Sequence, residues 1–141
     1  MQGRFAYEVL SKYPHFNPAD AVIWTRFILA YPDFGDSVNY DVCCGSGPDL
    51  PDSIKPEWAA NAQYLGRYKI DAVVYRGFVH YVIEVKPNAG LGALGQIISY
   101  AILYDAFDES EEKVVPVLIT NFERPDIRKI AARHGIEYYI V

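Results

Sequence analysis

The stretch YKIDAVVYRGFVHYVIEVK, residues 68–86, constrains the fold of this chain more than any other part of the sequence. Two runs rich in Val, Ile and Tyr meet there at Arg76-Gly77. Such residues favour β-strands, and a two-residue connection that contains glycine favours a tight hairpin turn. The stretch therefore predicts a β-hairpin in which Tyr75 pairs with Phe78.

Acidic side chains lie in both predicted strands, and the register decides whether they meet. In the predicted register Asp71 pairs with Val82, which places Asp71 diagonal to Glu84 on one face of the hairpin. Diagonal neighbours of this kind lie about 7–8 Å apart, within reach of a shared ion. Lys86, two residues beyond Glu84, projects from the same face. A shift of one residue would send Asp71 to the opposite face.

Two carboxylates on an apolar surface predict a cation site, because their repulsion raises both pKa values unless a cation lies between them. Asp71, Glu84 and the backbone carbonyl of Val85 are ligands that suit Mg2+ or Mn2+. A metal held there could activate a water molecule and stabilise charge on a phosphate. Lys86 could orient that water or stabilise an anionic transition state. The alternative is a solvated strand face, on which a lysine beside a glutamate is ordinary.

A helix is predicted from about residues 89–91 to Phe107. Its expected core face consists of Leu91, Leu94, Ile98, Ala101 and Ile102. Gln96, Tyr100 and Tyr104 recur every four residues and form a second stripe. Gln96 and Tyr100 either contact a substrate or pack as an amide–phenol pair at the margin of the helix, and the sequence leaves both interpretations open.

With these residues in this order, the chain resembles the PD-(D/E)xK nuclease superfamily. Asp71 matches its first metal-binding acid, Glu84 and Lys86 match its (D/E)xK motif, and Gln96 and Tyr100 match the Q-x3-Y pattern of several branches. The resemblance implies a restriction-endonuclease-like α/β core, a central mixed β-sheet flanked by α-helices. It also implies a nuclease in which the acids and the lysine are catalytic, while the glutamine and the tyrosine support the substrate.

Four further segments are similar to a group of small, uncharacterised proteins encoded in tailed-bacteriophage genomes. They are IWTRF at residues 23–27, YDV at 40–42, RYKIDA at 67–72 and LGALGQIISYAILY at 91–104. This resemblance implies a phage origin rather than an activity. Some proteins of the group lack the lysine that stands here as Lys86.

The length of 141 residues predicts a single domain, residues 1–141, and 51% hydrophobic residues predict a globular one. A net charge of −5 disfavours broad non-specific binding to DNA, although it allows a local basic patch. Cys43 and Cys44 are adjacent, which predicts buried thiols in a reducing compartment. The sequence shows no signal peptide and no membrane-spanning run. The expected location is the host cytoplasm or the virion.

Two helices are predicted in the N-terminal part of the chain. A short one is expected over Arg4–Lys12 and a longer one over Pro18–Ala30, with Asn17 as the cap of the second. Nucleases of the resembling superfamily often carry one more acid on the first core helix. Glu8 and Asp20 are both candidates, and Asp20 could equally be a first-turn acid that the helix dipole favours.

The remaining elements are predicted from turn residues and apolar runs. They are a strand over Ser37–Cys44, a loop over residues 45–55 with turn residues Asp49 and Asp52, a short helix over Pro56–Gln63, a strand over Lys113–Thr120, a helix that ends near His134, and a strand over Ile136–Val141. Pro116 within its strand predicts an edge or a bulge. The basic residues of the last helix predict a solvated face.

These observations predict a Mg2+-dependent (or Mn2+-dependent) endo- or exonuclease that acts on DNA and is encoded by a phage. The alternative is a non-catalytic structural protein of a tailed-phage particle, at the neck, tail or head-completion site, that uses the same fold. Such a protein would bind other phage structural proteins and could form oligomers. The complete set of Asp71, Glu84 and Lys86 favours the enzyme, whereas the acidity and small size favour the structural protein.

Overall fold

The computed structural model describes residues 2–47, 50–59 and 67–141. The strands of this part are β1 (Phe5–Ala6), β2 (Ser37–Cys44), β3 (Tyr68–Arg76), β4 (Val79–Val85), β5 (Lys113–Thr120) and β6 (Glu137–Ile140). Its helices are α1 (Pro18–Ala30), α2 (Leu91–Phe107) and α3 (Pro125–Arg133). The strands form one sheet in chain order. Strands β1 to β4 pair antiparallel and β4 to β6 pair parallel, so the sheet is mixed.

Helices cover both faces of this sheet. On one face, α1 packs Trp24 and Phe27 against Val74 of β3 and neighbouring strand residues. On the other face, α2 and α3 pack Ile97 and Ile127 against the strands. No helix in the described ranges is both long and apolar enough to cross a membrane.

The β3–β4 hairpin turns one residue later than the sequence predicts. Arg76 pairs with Val79, so Gly77 and Phe78 form the two-residue loop, and the predicted Tyr75–Phe78 pair is wrong. Gly77 adopts a φ of 57°. A type II′ turn requires positive φ at its first central position, which glycine reaches without strain and arginine does not. The pairing shifts by two residues and the parity of the strands is therefore kept.

The start of the chain forms a strand, and the predicted helix over Arg4–Lys12 is wrong. The Gly3 N–H donates to Ser37 Oγ at 2.9 Å, and the Arg4 N–H donates to Asn39 Oδ1 at 2.7 Å. A Cβ on Gly3 would lie 2.6 Å from the Val38 backbone nitrogen. The glycine and these tertiary bonds to β2 hold the segment extended, and both depend on partners far along the chain.

The bounds of α1 are confirmed, and Asn17 caps it by accepting a bond from the Asp20 N–H at 2.8 Å. The predicted core face of α2 is only partly right. In α2, Leu94 and Ala101 are buried as predicted, but Leu91 and Ile102 are exposed, and Ala93 and Ile97 are buried instead. Because both helices are apolar on most sides, sequence spacing alone does not select the face that packs on the sheet.

Pro116 occupies a position of β5 where its missing N–H costs nothing. It pairs with Val82 of β4 on one side, while the pairing with β6 begins only at Val117. The Lys86 N–H donates to Ile119 O, so odd-numbered residues of β5 bond β4 and even-numbered ones point away from it. The backbone nitrogen of Pro116 therefore faces the side of β5 on which β6 is not yet paired, and this part of the strand is an edge, as predicted.

The end of the chain follows the prediction closely. Gly135 adopts a φ of 66° after α3 and closes that helix. Residues 56–59 are helical, whereas the rest of the predicted Pro56–Gln63 helix and Asp49 lie outside the described residues. Asp52 lies in a turn.

Candidate active site

The regular alternation of β3 is interrupted at Asp71. Ile70 belongs to the core under α2, but Ala72, two residues further, belongs to the core under α1. Residues two apart in a regular strand share a face, so the strand rotates at this point. The last pair of the β3–β4 ladder is Ala72 with Ile83. Beyond that pair, Asp71 Oδ2 accepts the Val85 N–H at 2.8 Å and takes the place of a strand carbonyl.

Continuing the register of the hairpin places Glu84 opposite Asp71 rather than diagonal to it. Glu84 is 7% exposed. The two carboxyl groups lie close enough for each to act on the pKa of the other. Burial raises the pKa of Asp71, and burial together with the Asp71 charge raises the pKa of Glu84. These two groups, which we call the acid pair, therefore resist full ionisation without a cation.

Asp20 and Lys86 complete the charges around the acid pair. Asp20 lies in the first turn of α1, and its negative charge raises the pKa of both members of the pair. Burial raises the pKa of Asp20 itself, while the Lys86 ammonium lowers it. Lys86 is exposed and also lowers the pKa of Asp71 and Glu84. Of the two N-terminal candidates, the structure thus places Asp20 at the site, whereas Glu8 is exposed and is not among the charges that act on the pair.

The strand on the other side of Asp71 is distorted as well. The β2–β3 ladder pairs Tyr40 with Ala72 and Val42 with Ile70, but it skips Asp41 and Asp71. Asp41 adopts a φ of 53°, which is a strained conformation for a residue with a side chain. The sheet is therefore irregular on both sides of the acid pair.

Gln96 and Tyr100 line one open groove beside this site. The groove has a volume of about 730 Å3 and is lined by Tyr68, Gly92, Gly95, Gln96, Ser99, Tyr100, Ile102 and Leu103; we call it the α2 groove. Burial raises the pKa of Tyr100, and the Glu84 carboxylate raises it further. Tyr100 therefore links the groove to the acid pair, while Gln96 is exposed at its surface.

Tyr104, the third member of the predicted stripe, has a different partner. Its hydroxyl lies 2.7 Å from His80 Nδ1, and Glu112 Oε2 lies 2.7 Å from His80 Nε2. His80 is 3% exposed and stands at the start of β4, four residues before Glu84. The strand rise places it on the order of 13 Å from the acid pair. This cluster joins α2 to the sheet. Glu112 lies 32 residues after His80 in the sequence, so residue spacing could not reveal their contact.

Arg124 is a further basic residue near the site that spacing did not indicate. Its Nε donates to Asn88 Oδ1 at 2.9 Å, and the Asn88 N–H donates to Asn121 Oδ1 at 2.8 Å. Asn88 has a φ of 47°, which asparagine tolerates better than most residues. These bonds hold the Arg124 guanidinium over the segment that follows Lys86.

The donor atoms of the acid pair fit a hard divalent cation. Within the described ranges, no three His, Cys, Asp or Glu side chains are gathered closely enough to hold a metal. Mg2+ commonly binds through one or two carboxylates and keeps waters and substrate oxygens as its other ligands. The Val85 N–H points to Asp71, and the N–H and C=O of one strand residue face the same neighbour, so the Val85 carbonyl faces β3 as well.

Comparison with known proteins shows the fold. No protein-family model matches the chain, and neither does any curated protein. A protein of unknown function, AF1548, has a similar structure, with a TM-score of 0.54 and 17% identity over 80% of this chain and 53% of that one. A repair endonuclease from Pyrococcus abyssi is similar with a TM-score of 0.52 and 16% identity, over 94% of this chain and 49% of the other.

The chain thus spans about half the length of the solved structures that it matches. Together with the mixed sheet and its flanking helices, these likenesses confirm the predicted α/β, nuclease-like fold.

The Asp71–Val85 bond leads to a prediction about stability without metal. Asp71→Asn keeps an oxygen acceptor for the Val85 N–H and removes one buried charge, so this variant should melt at or above the wild type in a chelator. Asp71→Ala leaves the N–H of a residue that is 1% exposed without an acceptor, which should cost about 1–3 kcal/mol. Urea unfolding measures both. If the asparagine variant is as unstable as the alanine variant, the charge itself is structural.

The raised pKa values lead to a second prediction. A carboxyl whose folded pKa lies above its ordinary value, 3.8 for Asp71 and 4.5 for Glu84, stabilises the fold fully below that ordinary value. This stability is lost as the pH rises through the folded pKa. In a chelator, the melting temperature of Glu84→Gln minus that of the wild type should therefore increase with pH above 4.5. A difference that is constant or decreases with pH would contradict the burial of the pair.

Proposed function

We propose that this chain is a metal-dependent nuclease that hydrolyses phosphodiester bonds in DNA and uses Mg2+ or Mn2+. The observation that carries the proposal is the acid pair, in which the buried Glu84 and the half-buried Asp71 lie opposite each other on neighbouring strands, with Lys86 exposed two residues beyond Glu84. Burying two carboxyls side by side destabilises a fold. A protein retains such an arrangement where it serves a site.

The fold supports the same reaction class. One of the similar solved structures is that of a repair endonuclease, whose fold resembles that of this chain at low sequence identity. Likeness at this level supports a nuclease only in combination with the site. The predicted phage origin and the predicted structural role in a virion are not tested by the fold, and both stay predictions.

Each residue of the site has a proposed role. Asp71, Glu84 and the Val85 carbonyl would hold the metal, which when bound supplies an activated water and neutralises charge on the phosphate. Lys86 would donate to an oxygen of the phosphate, where its ammonium stabilises the charge of the transition state. Asp20 would not need to contact the metal, because its charge already strengthens cation binding from the first turn of α1.

The charges of the site also explain why a cation is required. The charges of Asp20, Asp71 and Glu84 outnumber the charge of the Lys86 ammonium, so the ionised site without metal is negative and repels a phosphate. A bound divalent cation would offset this negative charge. Gln96 and Tyr100 lie in the adjoining groove, and we propose that they support the substrate there.

Metal binding should be visible as thermal stabilisation. Because a cation binds the folded site and not the unfolded chain, Mn2+ or Mg2+ at a hundredfold excess over Kd should add about 2.7 kcal/mol. For a chain of this size the melting temperature should rise by several degrees. Differential scanning fluorimetry with and without a chelator measures the rise.

Three variants make this measurement specific. Asp71→Asn and Glu84→Gln should each lose most of the response, whereas Asp33→Asn, which alters an exposed acid, should keep it. If neither metal changes the melting temperature of the wild type, the proposed cation site is wrong and the nuclease proposal fails with it.

Cleavage tests the role of Lys86. The wild type should nick plasmid DNA with Mg2+ or Mn2+ and not with a chelator, and Lys86→Ala should abolish nicking while its metal-dependent melting shift is kept. Lys86 is exposed, so its truncation costs little stability. Lys129→Ala, which removes an exposed ammonium from α3, serves as the matched control and should nick like the wild type. Full activity of Lys86→Ala would exclude that residue from the reaction.

A further inference from the structure

The α2 groove has walls that suit a flat, uncharged group. One wall is Tyr68, whose side chain is 59% exposed although it is aromatic. Its ring lies 6.0 Å from the Tyr100 ring, at an interplanar angle of 35°. Among the described residues, those that line the groove include no Lys, Arg, Asp or Glu. A charged ligand group would find no ionic partner there, whereas a π-system would find an exposed aromatic face.

The α2 side of the groove has two positions without side chains. Gly92 and Gly95 lie on the exposed side of α2, and a Cβ added to either would meet no atom within 4 Å. Packing against the sheet does not require these glycines, although each costs helix stability. Their absence of side chains leaves space for a planar group against the helix backbone. The Gln96 amide and the Ser99 hydroxyl beside them can donate and accept hydrogen bonds at the edge of such a group.

The groove adjoins the acid pair. Tyr68 and Tyr100 both line it, and Tyr68 lies in β3 only three residues before Asp71, which is about 10 Å along the strand. A nucleotide whose phosphate lies at the acid pair would therefore have its neighbouring base within reach of the groove. This placement connects the ligand chemistry of the groove to the proposed reaction.

We infer that the α2 groove holds an unstacked nucleobase, with Tyr68 as its stacking surface, and that the substrate is single-stranded or locally unpaired DNA. The inference rests on the proposed function for the position of the phosphate. In an intact duplex the bases are paired and stacked, so none can enter the groove without being extruded. A single strand presents its bases freely, and aromatic stacking binds each of them regardless of sequence.

The charge of the chain favours the same substrate. Duplex binding without sequence preference depends on neutralising many phosphates with Lys and Arg. This chain has 13 such residues against 18 acids. Stacking does not depend on net charge, so an acidic protein can bind a single strand through its bases where it would bind a duplex weakly.

Binding by fluorescence anisotropy tests the inference without requiring cleavage. The wild type, in a chelator, is titrated with a labelled single-stranded oligodeoxynucleotide, the same strand with abasic sites throughout, and the corresponding duplex. The base-containing single strand should bind best. Tyr68→Ala should weaken that binding about five-fold or more, as expected for the loss of one stacked base, and should not change binding of the abasic strand. Tyr68→Phe keeps the ring and should bind like the wild type.

Phe78→Ala is the matched control, since Phe78 is an exposed aromatic residue in the hairpin loop at the opposite end of β3. It should bind every oligonucleotide like the wild type. Circular dichroism confirms that Tyr68→Ala is folded, and the comparison of bases with abasic sites on the wild type does not depend on any variant. Equal binding of the abasic strand or of the duplex, or unchanged binding by folded Tyr68→Ala, would overturn the inference.

The outcomes separate this inference from the nuclease proposal. Metal-dependent nicking together with equal binding of single strand, abasic strand and duplex would leave the nuclease and remove the stacking surface. Base-dependent binding that Tyr68→Ala destroys, in a protein that cuts no DNA with either metal, would keep the stacking surface and remove the nuclease.

Discussion

The bond from the Val85 N–H to Asp71 Oδ2 is the interaction on which the site depends. The regular β3–β4 ladder ends at the pair of Ala72 and Ile83. Beyond this pair, the side-chain oxygen of Asp71 takes the place of a strand carbonyl. A carboxylate that accepts a backbone N–H is fixed in orientation, and here it is fixed next to Glu84. The geometry of the acid pair is therefore set by main-chain bonding as much as by packing.

Placing Asp71 and Glu84 together in the protein interior destabilises the fold electrostatically. An ion moved out of water into a protein loses several kcal/mol of solvation, and two like charges add their mutual repulsion. Burial, the first cause of the raised pKa of both carboxyls, outweighs both the Val85 bond and the attraction of Lys86. A divalent cation between the two carboxylates would offset both charges at once. The regular parts of the strands beyond this irregularity, buried in two separate cores, supply the stability that the site lacks.

The sequence predicted the elements that local chemistry determines. Asn17 followed by Pro18 marks the start of α1, and Gly135 marks the end of α3; both signals act within a few residues and both are correct. The proximity of Asp71 and Glu84 was predictable despite a wrong turn, because a shift of two residues keeps the parity of a hairpin.

What failed depends on contacts between distant residues. In place of the helix predicted over Arg4–Lys12 the chain forms the short strand Phe5–Ala6, and Ser37 and Asn39 of β2 bind the backbone of Gly3 and Arg4 just before it. The choice between Glu8 and Asp20 required the packing of α1 on the sheet. The faces of α1 and α2 could not be selected by spacing, since apolar residues surround both helices. The rotation of β3 at Asp71 could not be predicted from the alternation of residues, because that alternation assumes a regular strand.

The two halves of the proposed binding surface differ in how they treat a substrate. Under the proposed function, the negative acid pair would need a cation before a phosphate could approach. In the α2 groove it offers an uncharged aromatic wall and a glycine-lined helix, which attract a base without a cation. Because the two contacts respond differently to salt and metal, a strand held by its base in the groove could wait at the site before the metal arrives. An exposed Tyr68 would then determine which DNA is bound, and the acid pair would determine whether it is cut.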